Sequence, residues 1–117
     1  MSHYAKRTIR GSPMWMAPEV LSGRHGVASY GRSADVYSLT IVCWQILSLE
    51  YLYPGMKMIK INQGVMNGTL RPEIPKQWPM KLKNIVKRGW NQDPQNRPSA
   101  KELRDVLAKT CTTFFVN

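Results

Sequence analysis

Seven carboxylates, two histidines and two cysteines are the chain's stock of acids, thiols and ring-nitrogen ligands, set against seventeen lysines and arginines. His3 and His25 have no partner at metal-ligand spacing, so no metal site is expected. Cys43 and Cys111 lie far apart, with no Cys-x-x-Cys pair, and read as buried or free thiols of a reducing compartment rather than a disulfide. The net charge of +10 raises the question of a polyanionic partner. Its densest groups, Lys6-Arg7 with Arg10 and Lys81, Lys83, Lys87 and Arg88, read as solvated faces. No helix-turn-helix, zinc-finger or aromatic ribonucleoprotein signature accompanies them, so no specific nucleic acid is expected, and only non-specific attraction to phosphates follows. One stretch stands apart. GSPMWMAPEVLSG, residues 11 to 23, holds too much proline and glycine punctuation for a plain helix or strand.

The segments around that stretch read as helices. Residues 1–32 are loop-like, with a short helix at Pro18–Leu21 whose proline suits a first helical position. The segment SADVYSLTIVCWQILSLEYLY predicts the longest helix. Ser33 suits its N-cap, Asp35 its first turn, and Tyr53-Pro54-Gly55 its end. From Leu39 to Leu47 it is apolar on nearly every face, which predicts burial on all sides. A helix from Met56 to Met66 should stop at Asn67-Gly68. The prolines of LRPEIPKQWP make an extended linker. Leu82, Ile85, Val86 and Trp90 then give helical spacing over Met80–Trp90. Ser99 to Glu102 is a capping box opening a last helix with Leu103, Val106 and Leu107 inward. The apolar runs, such as Leu39–Trp44, are far shorter than the roughly 20 residues of a membrane span, and the first residues lack a signal-peptide core. The expected fold is all-α.

Four blocks in register carry a resemblance: Gly11-Ser12 with Trp15-Met16-Ala17-Pro18-Glu19; Asp35-Val36-Tyr37-Ser38; Arg71-Pro72-Glu73-Ile74-Pro75; and Trp90, Asp93-Pro94 and Arg97-Pro98-Ser99. Together they resemble the helical lower lobe of a eukaryotic protein kinase. Gly11-Ser12 favours the serine/threonine side, and the later blocks the tyrosine-kinase-like branch. The resemblance implies residues 1–32 as activation segment and Ala-Pro-Glu region, 33–110 as helical lobe and 111–117 as tail, all of one partial domain. The parent would use ATP and Mg to phosphorylate protein substrates, in the cytoplasm. The Gly-rich loop, strand lysine, His-Arg-Asp loop and Asp-Phe-Gly motif that such transfer needs are not in these residues. No catalytic residue and no bound cofactor are therefore expected here, and no activity of this chain alone.

Residue by residue, the resemblance implies a buried ion pair between Glu19 and Arg97, whose planar fork suits a carboxylate. It makes Ser12, Met14 and Trp15 part of the loop that receives the substrate. It gives Asp35 the role of binding the catalytic loop, although here Asp35 reads as a first-turn charge alone. Thr8, between Arg7 and Arg10, and more weakly Tyr4, fall where activation-segment phosphorylation occurs, and phosphate there would meet basic residues. Two positions depart from the family: Thr40 where glycine is usual, its β-branch threatening a packed neighbour, and Gln45 where glutamate is common. A second reading keeps the lobe and drops the chemistry: an interaction module for regulatory proteins. Either way, uncovered apolar surface on the central helix predicts self-association.

Overall fold

The computed structural model describes residues 13–23 and 31–115, with the side chains of residues 13 and 113–115 left aside. Within them are five α-helices: α1 (Pro18–Leu21), α2 (Arg32–Ser48), α3 (Met58–Asn67), α4 (Met80–Gly89) and α5 (Ala100–Phe115). Short 3₁₀ turns occupy Pro13–Trp15 and Pro94–Asn96, and the described residues contain no strand. The fold is all-α, as its periodicities predicted.

α2 is the hub, touching the Pro13–Trp15 turn, α4, α5 and the Pro94–Asn96 turn. Its inward face of Val36, Tyr37, Thr40, Ile41 and Trp44 meets Leu82, Ile85 and Val86 of α4 and Leu103 of α5 in one buried cluster. Ile61 and Val65 of α3 join the same core, and Val106 and Leu107 are half-buried against it. Each of these residues lies on the helical stripe its spacing implies.

Burial does not reach every side of α2, and the apolar surface expected to stay uncovered on this helix is present. Leu39, Val42 and Ile46 are 44%, 37% and 65% exposed. Among the described residues Leu39 and Val42 are thus only partly covered and Ile46 is mostly bare. Two boundaries also move. The N-cap is Gly31, whose carbonyl accepts the amides of Ala34 and Asp35, and Ser33 lies inside the first turn. The helix ends at Ser48, because Leu49 turns left-handed at φ 59° and its amide closes on the carbonyl of Gln45. The apolar residues after it look like helix by periodicity alone, which is why Tyr53-Pro54-Gly55 seemed the stop.

The other termini keep to their signals. Gly68 takes φ 82° after Asn67, and the amides of Thr69 and Leu70 return to the carbonyl of Gly64. At α5 the Ser99 hydroxyl accepts the Glu102 amide at 3.0 Å. Glu102 itself reaches across to Arg88 of α4, at 2.7 Å. α5 continues to Phe115, through the stretch expected to be a tail.

Candidate functional site

The Pro13–Trp15 turn is held to α2 by polar contacts at both ends of Trp15. Its indole nitrogen donates to the Gln45 amide oxygen at 2.8 Å, and its carbonyl accepts the Ser38 hydroxyl at 2.5 Å. Met14 and Trp15 also pack, half-buried, on the core. Gln45 thus has a definite task, since a side-chain oxygen at this point accepts the indole N–H. Ser12, Thr8 and Tyr4 lie outside the described residues.

α1 follows directly, and its Glu19 meets Arg97 from the far end of the chain. Arg97 Nη1 lies 2.8 Å and Nη2 2.9 Å from the two Glu19 carboxylate oxygens, a two-point pairing. The Arg97 side chain is fully buried and that of Glu19 nearly so. The remaining guanidinium donors reach the carbonyls of Asn91 at 2.9 Å and Ser33 at 3.0 Å. One arginine thereby ties α1, the start of α2 and the loop before α5 together. Burial of such a charge is tolerable because every side of the fork has an acceptor.

The same guanidinium covers one ring. Arg97 and Arg71 each lie 5.1 Å from the centroid of Tyr37, within cation–π range. Arg71 has no carboxylate partner among the described residues. It donates to the carbonyls of Trp90 at 2.8 Å and Leu70 at 2.7 Å and to the Gln92 side chain at 2.6 Å. Burial pushes the Tyr37 hydroxyl above its usual pKa, against the opposing pull of the two arginines. Sequence spacing did not reveal this stack. Three residues distant in the chain meet in it, and a tyrosine inside an apolar run announces only burial.

Thr40 is buried and returns its hydroxyl to the Val36 carbonyl at 2.7 Å. The feared crowding is avoided because α4 offers Gly89 opposite it. A Cβ on Gly89 would collide with the Thr40 hydroxyl oxygen and approach its Cγ2 to 2.8 Å. The small residue has moved to the other helix of the contact. Asp35 is exposed in the first turn of α2 and stands one helical turn before Leu39, on the open face. An open recess of about 700 Å³ lies between α1 and α3, lined by Pro18, Glu19, Ser22, Gln63, Met66 and Gln92. The described residues hold no metal-binding cluster. None of their helices is long and apolar enough to cross a membrane.

Residues 1–107 fit the family described as protein tyrosine and serine/threonine kinase. The chain belongs to the protein kinase family. Kinase relatives agree. The dual specificity protein kinase shkA of Dictyostelium discoideum is 36% identical over 107 residues, which cover 87% of this chain and 20% of the relative. Serine/threonine-protein kinase STY17 of Arabidopsis thaliana is 37% identical over 97 residues, 83% of this chain and 16% of its own. The dual specificity protein kinase shkD of Dictyostelium discoideum is 37% identical over 101 residues, with 86% and 13% covered. The chain therefore spans a fifth or less of the length of these kinases. The Glu19–Arg97 pair and the Trp15 contacts belong to the helical part of a kinase domain.

Proposed function

We propose that this chain is the C-terminal helical part of a serine/threonine kinase domain whose complete form transfers phosphate from ATP, with Mg, to protein Ser/Thr. The observation carrying this reading is the double anchoring of the Pro13–Met16 stretch, by Gln45 and Ser38 on one side and by Glu19–Arg97 on the other. Such anchoring supports a reading of Met14 and Trp15, together with Ser12 from the motif, as parts of the loop that receives the substrate. The uncovered face of α2, with Asp35 at its head, is where the catalytic loop of a complete domain would seat. Thr8, or Tyr4, would take the activating phosphate. Free Cys43 and Cys111 suit the reducing cytoplasm where the parent would work. Phosphoryl transfer rests almost wholly on positioning of nucleotide, metal and acceptor, and the nucleotide and metal parts are not in these residues.

The decisive test is a chimera in which these residues follow the upstream kinase portion of STY17. Expected are phosphorylation of Ser/Thr peptides and a raised KM on Trp15→Ala, while the 117-residue chain alone gives no transfer above buffer. Tyrosine-only products from a folded chimera, or transfer by the lone chain, would overturn the reading. The exposed Leu39–Val42–Ile46 stripe supports a second reading, a non-catalytic lobe that docks regulatory proteins. A folded chimera with no activity, together with a short chain that persists in cells, would favour it.

A further inference from the structure

Beside the kinase surfaces, a recess of about 390 Å³ opens between the 71–76 stretch and α4, and its charged lining is entirely basic. Lys83 and Lys87 stand one turn apart on α4 and face Lys76 of the linker, with Arg71 at the base. Like charges four apart on a helix repel, and no carboxylate among the described residues pairs with them. Among the described residues none of the three lysines forms an ion pair, whereas Arg88, Lys101 and Arg104 nearby all do. Glu73 and Glu50 line an adjoining recess with Tyr51 and Pro54, which shares Arg71 and Pro72 with this one. Pro72, Ile74 and Trp90 supply the apolar wall.

We propose that this recess binds a phosphate monoester carried on a segment of a partner protein. Unpaired ammonium groups converging on one small concavity suit a compact dianion, since each lysine is a point charge that contacts any phosphate oxygen. The cavity exceeds what one phosphate fills, and its apolar wall offers a place for the side chain next to the phosphorylated residue. Arg71, whose donors are mostly committed to the Trp90 and Leu70 carbonyls and Gln92, contributes charge more than contact. A membrane surface is a poorer fit, because interfacial binding inserts a whole face of exposed apolar groups beside the cations, and among the described large apolar residues of α4 only Met80 is exposed. Here Trp90 is only 5% exposed, and it offers no open face for base stacking either.

The test is fluorescence anisotropy of the full chain with a short labelled peptide carrying one phosphoserine, beside its unphosphorylated and glutamate forms. The paired substitution Lys83→Gln with Lys87→Gln should weaken phosphopeptide binding by about tenfold or more. Lys57→Gln with Lys60→Gln removes the same charge from the start of α3 and should change it by about twofold or less. Equal losses in the two variants would reduce the effect to net charge and overturn the site. So would equal affinity for the phosphorylated and unphosphorylated peptides. Inositol phosphates or phosphatidylserine vesicles bound through Lys83 and Lys87, with the phosphopeptide ignored, would overturn the protein-borne source. Lys57, Lys60 and Lys87 are exposed and Lys83 is half-buried without an ion-pair partner among the described residues, so circular dichroism melts of both variants should match the parent. Binding needs no kinase activity, so its failure is distinct from failure of the kinase reading.

Discussion

At the scale of single residues, two contacts carry most of what is specific to this fold. Arg97 is fully buried, and its only carboxylate partner among the described residues is Glu19. Removing one partner strands a charge in the interior, which costs about 3–5 kcal/mol, whereas an apolar replacement of both is far milder. Glu19→Gln and Arg97→Met should therefore each lower the denaturant midpoint more than the double variant does. A cycle without coupling energy would show the pair to be energetically idle. The Thr40–Gly89 contact gives a second expectation. Gly89→Ala forces a methyl into the Thr40 side chain and should destabilise by about 1–3 kcal/mol, as overpacking does. Thr40→Gly in that background should recover most of the loss. If Gly89→Ala is neutral in urea unfolding, the two helices do not approach as closely as described.

At the scale of elements, α2 decides the architecture and also holds its weakest point. Its end is made by Leu49 at φ 59°, a conformation in which a branched L-residue is strained and glycine is not. Leu49 is also 88% exposed, so its side chain contributes little burial in return. Leu49→Gly should stabilise the chain by about 0.5–1 kcal/mol, the left-handed penalty outweighing the added freedom of the unfolded state. An unchanged or lower melting temperature would show that the 49–53 turn draws its stability from elsewhere. The helix pair α4–α5 is the sturdier unit, with Leu82, Ile85, Val86 and Leu103 buried between them and Arg88–Glu102 bridging the rim. Exposed as it is, that bridge adds little beyond orientation.

At the scale of the whole molecule, the balance turns on the face of α2 that the described residues cover only in part. Leu39, Val42 and Ile46 form one stripe, and being 44%, 37% and 65% exposed each forgoes a part of the roughly 1.5–3 kcal/mol that full burial of such a side chain gives. A domain's total stability is only about 5–15 kcal/mol. The 117-residue chain should therefore melt broadly and scatter light at micromolar concentration, and Leu39→Glu with Ile46→Lys should reduce the scattering. A sharp transition of a clean monomer above about 60 °C, the upper end for ordinary domains, would show that the stripe is covered.

What the amino-acid order determined alone was the helical content, the punctuation between helices and the register of the family blocks. Each of these is local: the periodicity of Leu82, Ile85 and Val86, Ser99 placed before Glu102, or Asn67-Gly68 at a helix end is readable within a turn or two. The resemblance also pointed to Glu19 and Arg97, because a motif pair encodes a distant contact that composition cannot. Spacing could not show which residues of α2 stay open, since an all-round apolar helix looks alike whichever of its sides the neighbours cover. Nor could it show that Thr40 is tolerated through Gly89, that Gln45 receives the Trp15 indole, or that Tyr37 lies between two arginines. The basic recess belongs with these. In sequence Lys76, Lys83 and Lys87 resemble any solvated lysines, and only the turn of the linker back over α4 makes their charges converge. Those facts depend on which helices meet and at what angle. Such pairings arise from packing the whole set of side chains at once, and no local signal in the chain records them.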